Sequence, residues 1–205
     1  KNLINNMSNL LQDGYNLIDG YRLQQDAQCS EYFKRYLDIV KPKRILELGT
    51  AGGGLTKILR DHTDVPILTV EKEESIIDKR TYELADVYIE DFLDTNFINK
   101  VLIPFISLSG RTLVLCDGFN KKEQYRRYVR YIKNDDVIAV HDYFISEEYF
   151  ITNIKGKKWN WCQITEEEMK FVNKEYEMVN IGEELNEIFW GSKLKKGKQK
   201  LFTLI

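Results

Sequence analysis

Residues 44–54, Arg44-Ile45-Leu46-Glu47-Leu48-Gly49-Thr50-Ala51-Gly52-Gly53-Gly54, constrain the fold more than any other stretch of the chain. Ile45, Leu46 and Leu48 form a short apolar run, the pattern of a strand buried on both faces. A cluster of glycines follows at once. Glycine permits tight backbone turns and the close approach of a ligand. Residues 55–62 (LTKILRDH) then read as the start of a helix. A buried strand that passes through glycines into a helix is the opening unit of a doubly wound sheet. In such sheets ligands bind beyond the carboxyl ends of the strands, near helix N–H groups. The plain alternative is a turn with no ligand.

The rest of the chain repeats the theme. Residues 66–71 (PILTVE), 85–91 (ADVYIED), 112–118 (TLVLCDG) and 137–144 (VIAVHDYF) read as further strands. Residues 73–84 and 121–133 read as helices between them, the second burying Tyr125, Tyr128, Val129 and Ile132. Pro104 argues against a central strand over 101–106, which is read as a helix end or loop. A helix is expected over 165–178. Residues 1–40 read as amphipathic helices, the second from about 30 to 40 with Tyr32, Phe33, Tyr36 and Leu37 inward. Residues 187–205 read as two strands joined by a Lys/Gly turn, a hairpin signal. The fold class predicted is α/β: a Rossmann-like, doubly wound, mostly parallel sheet with a C-terminal antiparallel hairpin and N-terminal helices. The division expected is a helical segment over 1–40 and a ligand-binding domain over 41–205.

Composition narrows the partners. The chain has 205 residues, 30% of them charged, and a formal net charge of −2, so the basic face of a nucleic-acid binder is not expected. Its three cysteines, Cys29, Cys116 and Cys162, form no CxxC pair, which disfavours a disulfide framework or a zinc site and suits a reducing cytoplasm. No apolar run reaches the length of a membrane span. The first residue is lysine with no leader pattern, and the chain is read as an excised domain or a trimmed chain whose original N-terminus is unknown. A small-molecule substrate is expected, and a homo-oligomer stays open.

Two nucleotide motifs compete for the glycine turn. The dinucleotide fingerprint G-x-G-x-x-G would start at Gly49, but Ala51 stands where its second glycine belongs. The Walker A pattern lacks its Gly-Lys-Ser/Thr. Glu47 to Gly54 instead resembles motif I of class I S-adenosylmethionine-dependent methyltransferases, with Glu47 as the acid before the glycines. The resemblance implies S-adenosylmethionine as cofactor, held around Glu47, Gly49, Thr50, Ala51, Gly53 and Asp117. It also implies that Glu71 holds the ribose hydroxyls and that Asp91, with Glu90 as substitute, lies near the adenine.

Residues 113–144 are similar to one branch of that family, which includes the cephalosporin-hydroxylase-like and macrolide-sugar O-methyltransferases. The branch reads apolar strand, D-G-x-H, helix, turn, apolar strand, H-D-Y. This chain departs from it at Asn120, where the branch usually has histidine. The resemblance implies O-methylation of a sugar or natural-product hydroxyl, with Asp117 and Asp142 as candidate ligands of a magnesium ion. Magnesium favours oxygen donors and would lower the pKa of a bound hydroxyl. His141 is the better general base, and His141 and Asp142 are the candidate catalytic pair. Three readings compete: the methyltransferase, an NAD-dependent oxidoreductase, and a non-catalytic methyltransferase-like domain of a larger protein.

The remaining features have plainer readings. His62 closes a helix. Trp159 and Trp161 are core or a lid wall. Lys121, Lys122, Arg126, Arg127, Arg130 and Lys133 form a solvated basic face, and the lysines at 193–200 a solvated hairpin tip.

Overall fold

Alternate residues of the apolar runs go to opposite faces of one sheet, and helices cover both faces. The computed structural model describes residues 16–25, 29–156, 164–176, 179–180 and 201–204. A hairpin of β1 (Asn16–Ile18) and β2 (Tyr21–Leu23) comes first, then α1 (Cys29–Val40). β3 (Arg44–Leu48) leads through the glycine turn to α2 (Gly54–His62), β4 (Ile67–Glu71) and β5 (Asp86–Ile89). Next come α3 (Thr95–Phe97), a π-helical turn (Ile98–Leu102) and α4 (Ile103–Ser107). β6 (Thr112–Cys116), α5 (Lys121–Tyr128), β7 (Val137–Val140), β8 (Tyr143–Phe144) and α6 (Glu147–Asn153) follow. The described part ends with β9 (Ile164–Thr165), α7 (Glu166–Glu175), β10 (Val179–Asn180) and β11 (Leu201–Leu204).

The main sheet has the order β10-β11-β7-β6-β3-β4-β5, and every neighbouring pair is parallel. β3 and β6 lie side by side, and the chain winds outward from them in both directions. That is the topological switch point, where such sheets open a ligand crevice. Leu46, Leu48, Val114, Cys116, Ile138 and Val140 face Ile98, Leu102, Tyr125 and Tyr128 on one side. Ile45, Ile67, Leu113, Leu115 and Ala139 face Phe33, Tyr36, Ile58 and Leu59 on the other. Among the described residues no helix is long and apolar enough to cross a membrane.

Several expectations change. Residues 16–23 form a hairpin, not a helix. Asp19 and Gly20 both have positive φ, 49° and 82°, and join the antiparallel pair Ile18↔Tyr21 as a two-residue turn. Residues 73–84 give only the 3₁₀ turns Glu74–Ile76 and Lys79–Glu83. Ile77 and Asp78 between them are extended, and the Asp78 carboxylate accepts from the backbone of Arg80, which competes with a continuous helix. Pro104 sits in the first turn of α4, where its missing N–H costs nothing. The strand expected over 137–144 ends at Val140, and β8 belongs to a separate parallel pair with β9.

At the C-terminus β11 runs parallel to β7, with Leu201 opposite Val137. The connection that carries α6 and α7 delivers β10, and β11 lies between β10 and β7, parallel to both, so it is not an arm of an antiparallel hairpin. The other expected arm and its lysines lie outside the described residues, as do residues 1–15, Trp159, Trp161 and Cys162.

The amino ends of β6 and β7 are joined by one buried carboxylate. Asp136 accepts from the Thr112 N–H at 2.7 Å, the Lys133 N–H at 2.7 Å and the Lys133 Nζ at 2.9 Å. Asp136→Ala leaves buried donors without an acceptor, so urea unfolding is expected to show a loss of about 3 kcal/mol. Because Asp136 sits at the sheet end remote from the crevice, ligand affinity of the folded variant should stay near wild type.

Candidate functional site

At the switch point two backbones nearly touch. Gly49, just past β3, has φ +106°, and a Cβ there would lie 2.5 Å from the Gly118 backbone just past β6. Glycine is therefore required by both conformation and space. Ala51 takes a left-handed φ of 45°, unusual for a residue with a side chain. Its N–H donates to Glu71 Oε2 at 2.9 Å. Glu71 Oε1 accepts from the Lys72 N–H at 2.8 Å, so the carboxylate at the end of β4 is held in place. Gly53 is the N-cap of α2, and no side chain caps that helix. Asp91, beyond β5, accepts from the Leu93 N–H and pairs with Lys72 at 2.9 Å. The Leu93 hydrogen bond first, and Lys72 second, hold its carboxyl below the ordinary value, with burial opposing. Glu71 and Asp91 thus mark the carboxyl ends of neighbouring strands, as the sequence led one to expect.

Beneath the glycine turn lies a buried acid. Glu47 is fully buried and accepts from Thr56 Oγ1 of α2 at 2.6 Å. Burial pushes its pKa up to about 8, against the opposing hydrogen bonds of Thr56 and Thr69. The charges of Asp117 and Glu71 add to the rise. Glu47 is therefore a neutral acid near pH 7. Thr50 and Thr69 share a hydrogen bond of 2.6 Å beside it.

The third part is a charged cluster on the ends of β6 and β7. The His141 N–H donates to the Cys116 carbonyl, which keeps the two ends adjacent, and the Asp117 N–H donates to the Leu48 carbonyl of β3. His141 Nδ1 lies 2.8 Å from Asp117 Oδ1 and 3.5 Å from Asp142 Oδ1. Burial works against its charged form, but Asp117 and then Asp142 outweigh it, so its pKa is raised above the usual histidine value. Asp142 sits at a left-handed bend, φ 56°, that ends β7. The Gln25 side chain, just beyond the N-terminal hairpin, donates to Asp117 Oδ2.

Lys121 departs most from expectation. It is only 5% exposed, not part of a solvated face. Its Nζ lies 2.9 Å from Asp142 Oδ2 and 3.8 Å from Asp117 Oδ1, and it donates to the Gly118 carbonyl at 3.1 Å. A divalent ion bridging Asp117 and Asp142 would have to displace that ammonium. Among the described residues no group of three or more His, Cys, Asp or Glu side chains is arranged to hold a metal. Asn120, in place of the branch's histidine, has φ 63° and caps α5 by accepting from the Glu123 N–H. An open cleft of about 560 Å³ flanks this loop, lined by Phe119, Asn120, Lys122, Glu147, Thr165 and Glu168. Phe119 is 87% exposed at its edge.

The structure thus brings Asp117, His141 and Asp142 into one cluster and sets Glu47 and Glu71 around the glycine turn. Gln25, Thr56, Thr69 and Lys121 were missed as site residues. The only signal for Lys121 was its spacing of four from Asp117.

No family model and no curated protein matches the sequence. Solved structures match the fold. CmcI in its apo form is 15% identical with a TM-score of 0.54, over 69% of this chain and 63% of that one. CmcI with magnesium and S-adenosylmethionine is 16% identical with a TM-score of 0.51, over 66% and 60%. A Staphylococcus aureus protein assigned as a caffeoyl-CoA O-methyltransferase is 13% identical with a TM-score of 0.52, over 79% and 77%. This chain therefore spans about three fifths of the CmcI chains. At these identities the likeness establishes a shared Rossmann-like α/β fold.

The Glu47 environment has a measurable consequence. A carboxyl whose pKa rises from 4.5 to about 8 on folding binds more protons in the folded state between those values. Its stabilising contribution is complete below about pH 4.5 and is lost as pH rises towards 8. Glu47→Gln should flatten this decline, so that urea unfolding at pH 5, 6.5 and 8 favours the variant increasingly with pH. The raised pKa of His141 acts in the same direction and leaves a residual slope. A variant curve parallel to wild type would place the proton elsewhere.

Proposed function

We propose that this chain is an S-adenosylmethionine-dependent methyltransferase acting on a hydroxyl oxygen of a small molecule, a sugar or natural product being the class suggested by sequence resemblance. The observation that carries the reading is the placement of Glu47, the glycine turn, Glu71 and Asp91 around the carboxyl ends of β3, β4 and β5, beside the switch point. The donor set fits the cofactor. Glu71 is braced by backbone N–H groups and retains acceptor capacity for ribose hydroxyls. Asp91 stands one strand further out, on the adenine side. The start of α2 has no side-chain cap that would compete with a ligand. The O-methyltransferase assignment of a fold neighbour supports the same reading.

When bound, S-adenosylmethionine supplies a methyl group already activated on a sulfonium, so the protein chiefly aligns the acceptor and excludes water. Asp117 orients His141 through Nδ1, which leaves Nε2 to take the proton of the substrate hydroxyl. Asp142 and Lys121 fix the charge around that pair. The cleft beside Phe119 is the substrate entrance in this reading. The buried Cys29 and Cys116 suit a reducing, cytoplasmic setting.

Titration calorimetry with S-adenosylhomocysteine and with NAD is the direct test. The nucleoside should bind and NAD should not. Glu71→Ala removes charge-assisted hydrogen bonds and should weaken the nucleoside on the order of 10- to 100-fold. NAD binding without nucleoside binding would sink the proposal.

His141→Gln should leave nucleoside affinity near wild type while lowering methyl transfer on the order of 100-fold. Nucleoside binding with no transfer to any hydroxyl acceptor would instead favour a non-catalytic domain.

A further inference from the structure

The carboxylates at the ends of β6 and β7 raise a physical problem that Lys121 solves. Asp117 and Asp142 have side chains only 6% and 13% exposed, and both approach His141 Nδ1. Two nearly buried negative charges at adjoining strand ends need a compensating cation, because burial of unpaired charge is costly. Three oxygens surround the Lys121 ammonium: Asp142 Oδ2, Asp117 Oδ1 and the Gly118 carbonyl. An all-oxygen set of carboxylates and a carbonyl is also what a hard divalent ion selects. The ammonium is within hydrogen-bond distance of Asp142 Oδ2 and the Gly118 carbonyl, and Asp117 Oδ1 at 3.8 Å is an ion-pair neighbour.

The chain delivers this ammonium deliberately. Asn120 adopts a left-handed conformation and caps α5, so Lys121 becomes its first residue. From there the side chain folds back over the Gly118 carbonyl, three residues earlier. Gln25 adds a neutral donor to the far oxygen of Asp117.

We infer that Lys121 is the built-in cation of this site, standing where a divalent ion would bridge Asp117 and Asp142, so that the chain binds no metal there. Its catalytic corollary rests on the methyltransferase reading: the tethered ammonium supplies the fixed positive charge beside the acceptor hydroxyl, and transfer proceeds without added metal. The exclusion of the ion rests on the cluster alone.

The test is a titration of the metal-free full chain with Mn²⁺, following the free-ion signal by electron paramagnetic resonance. Wild type should take up no Mn²⁺ that depends on Asp142. Lys121→Ala uncovers the carboxylates and should bind one ion per chain that wild type does not take up. Lys121→Ala combined with Asp142→Asn should lose that ion again. Circular dichroism checks folding, and Lys121→Met serves if the alanine variant fails to fold. Wild-type Mn²⁺ binding abolished by Asp142→Asn would overturn the inference without any lysine variant. Folded lysine variants that bind no Mn²⁺ would overturn it too, since the carboxylates would then be no cation site. S-adenosylhomocysteine calorimetry on the same samples is a separate readout, so failure of the methyltransferase reading is distinguishable from failure of this one.

Discussion

The contact between Gly49 and the Gly118 backbone is the constraint on which the crevice depends. β3 and β6 are neighbours in register, with Leu48 opposite Cys116, and each leaves the sheet one residue later. A Cβ at residue 49 would lie 2.5 Å from Gly118, so the two exits can lie together only if the first is glycine. That closeness sets Asp117 within electrostatic reach of Glu47. It also determines where β7 must end for His141 to meet Asp117. The chemistry of the cluster thus follows from a close approach of two backbones.

Once the strand ends converge, their acids must be neutralised, and the chain uses two different means. Glu47, deep under the turn with hydroxyl partners, keeps a proton. Asp117 and Asp142, nearer the surface, have Lys121 and His141 beside them. A neutral acid and a compensated pair place very different fields a few residues apart. The acids at the strand ends are thus neutralised by separate means, a retained proton in one place and paired cations in the other.

Much of this was legible in the sequence because strands covered on both faces leave continuous apolar runs, and four such runs mark β3, β4, β6 and β7. The acids at their ends were legible for the same reason, since polar residues closing a buried strand stand out. Other features obey rules that such runs do not carry. The hairpin at 16–23 was hidden inside a stretch read as amphipathic helices, although Asp19-Gly20 is a strong local turn signal. The parallel pairing of β11 with β7 and β10 is set by long-range partners, not by its own residues. Lys121 sits in a run of basic residues whose helical face reads as solvated. The left-handed cap at Asn120 starts α5 at Lys121, whose side chain reaches back to the Gly118 carbonyl.

The glycine run itself differs from a dinucleotide fingerprint for a structural reason. A Cβ at Gly52 would meet Arg22 Cβ at 2.4 Å, and one at Gly54 would meet the Arg22 carbonyl at 2.5 Å. Gly53 forms a bridge with Arg22. These glycines admit the N-terminal hairpin, where the dinucleotide motif would spend its second glycine on a pyrophosphate. Ala51 can stand in that second position because its N–H is already committed to Glu71. With Gln25 donating to Asp117, the hairpin segment touches both the turn and the charged cluster. Residues 16–25 are thus structurally part of the site that residues 44–54 announce, and Arg80, bonded to the Asp19 and Gly20 carbonyls, ties them to the loop after β4.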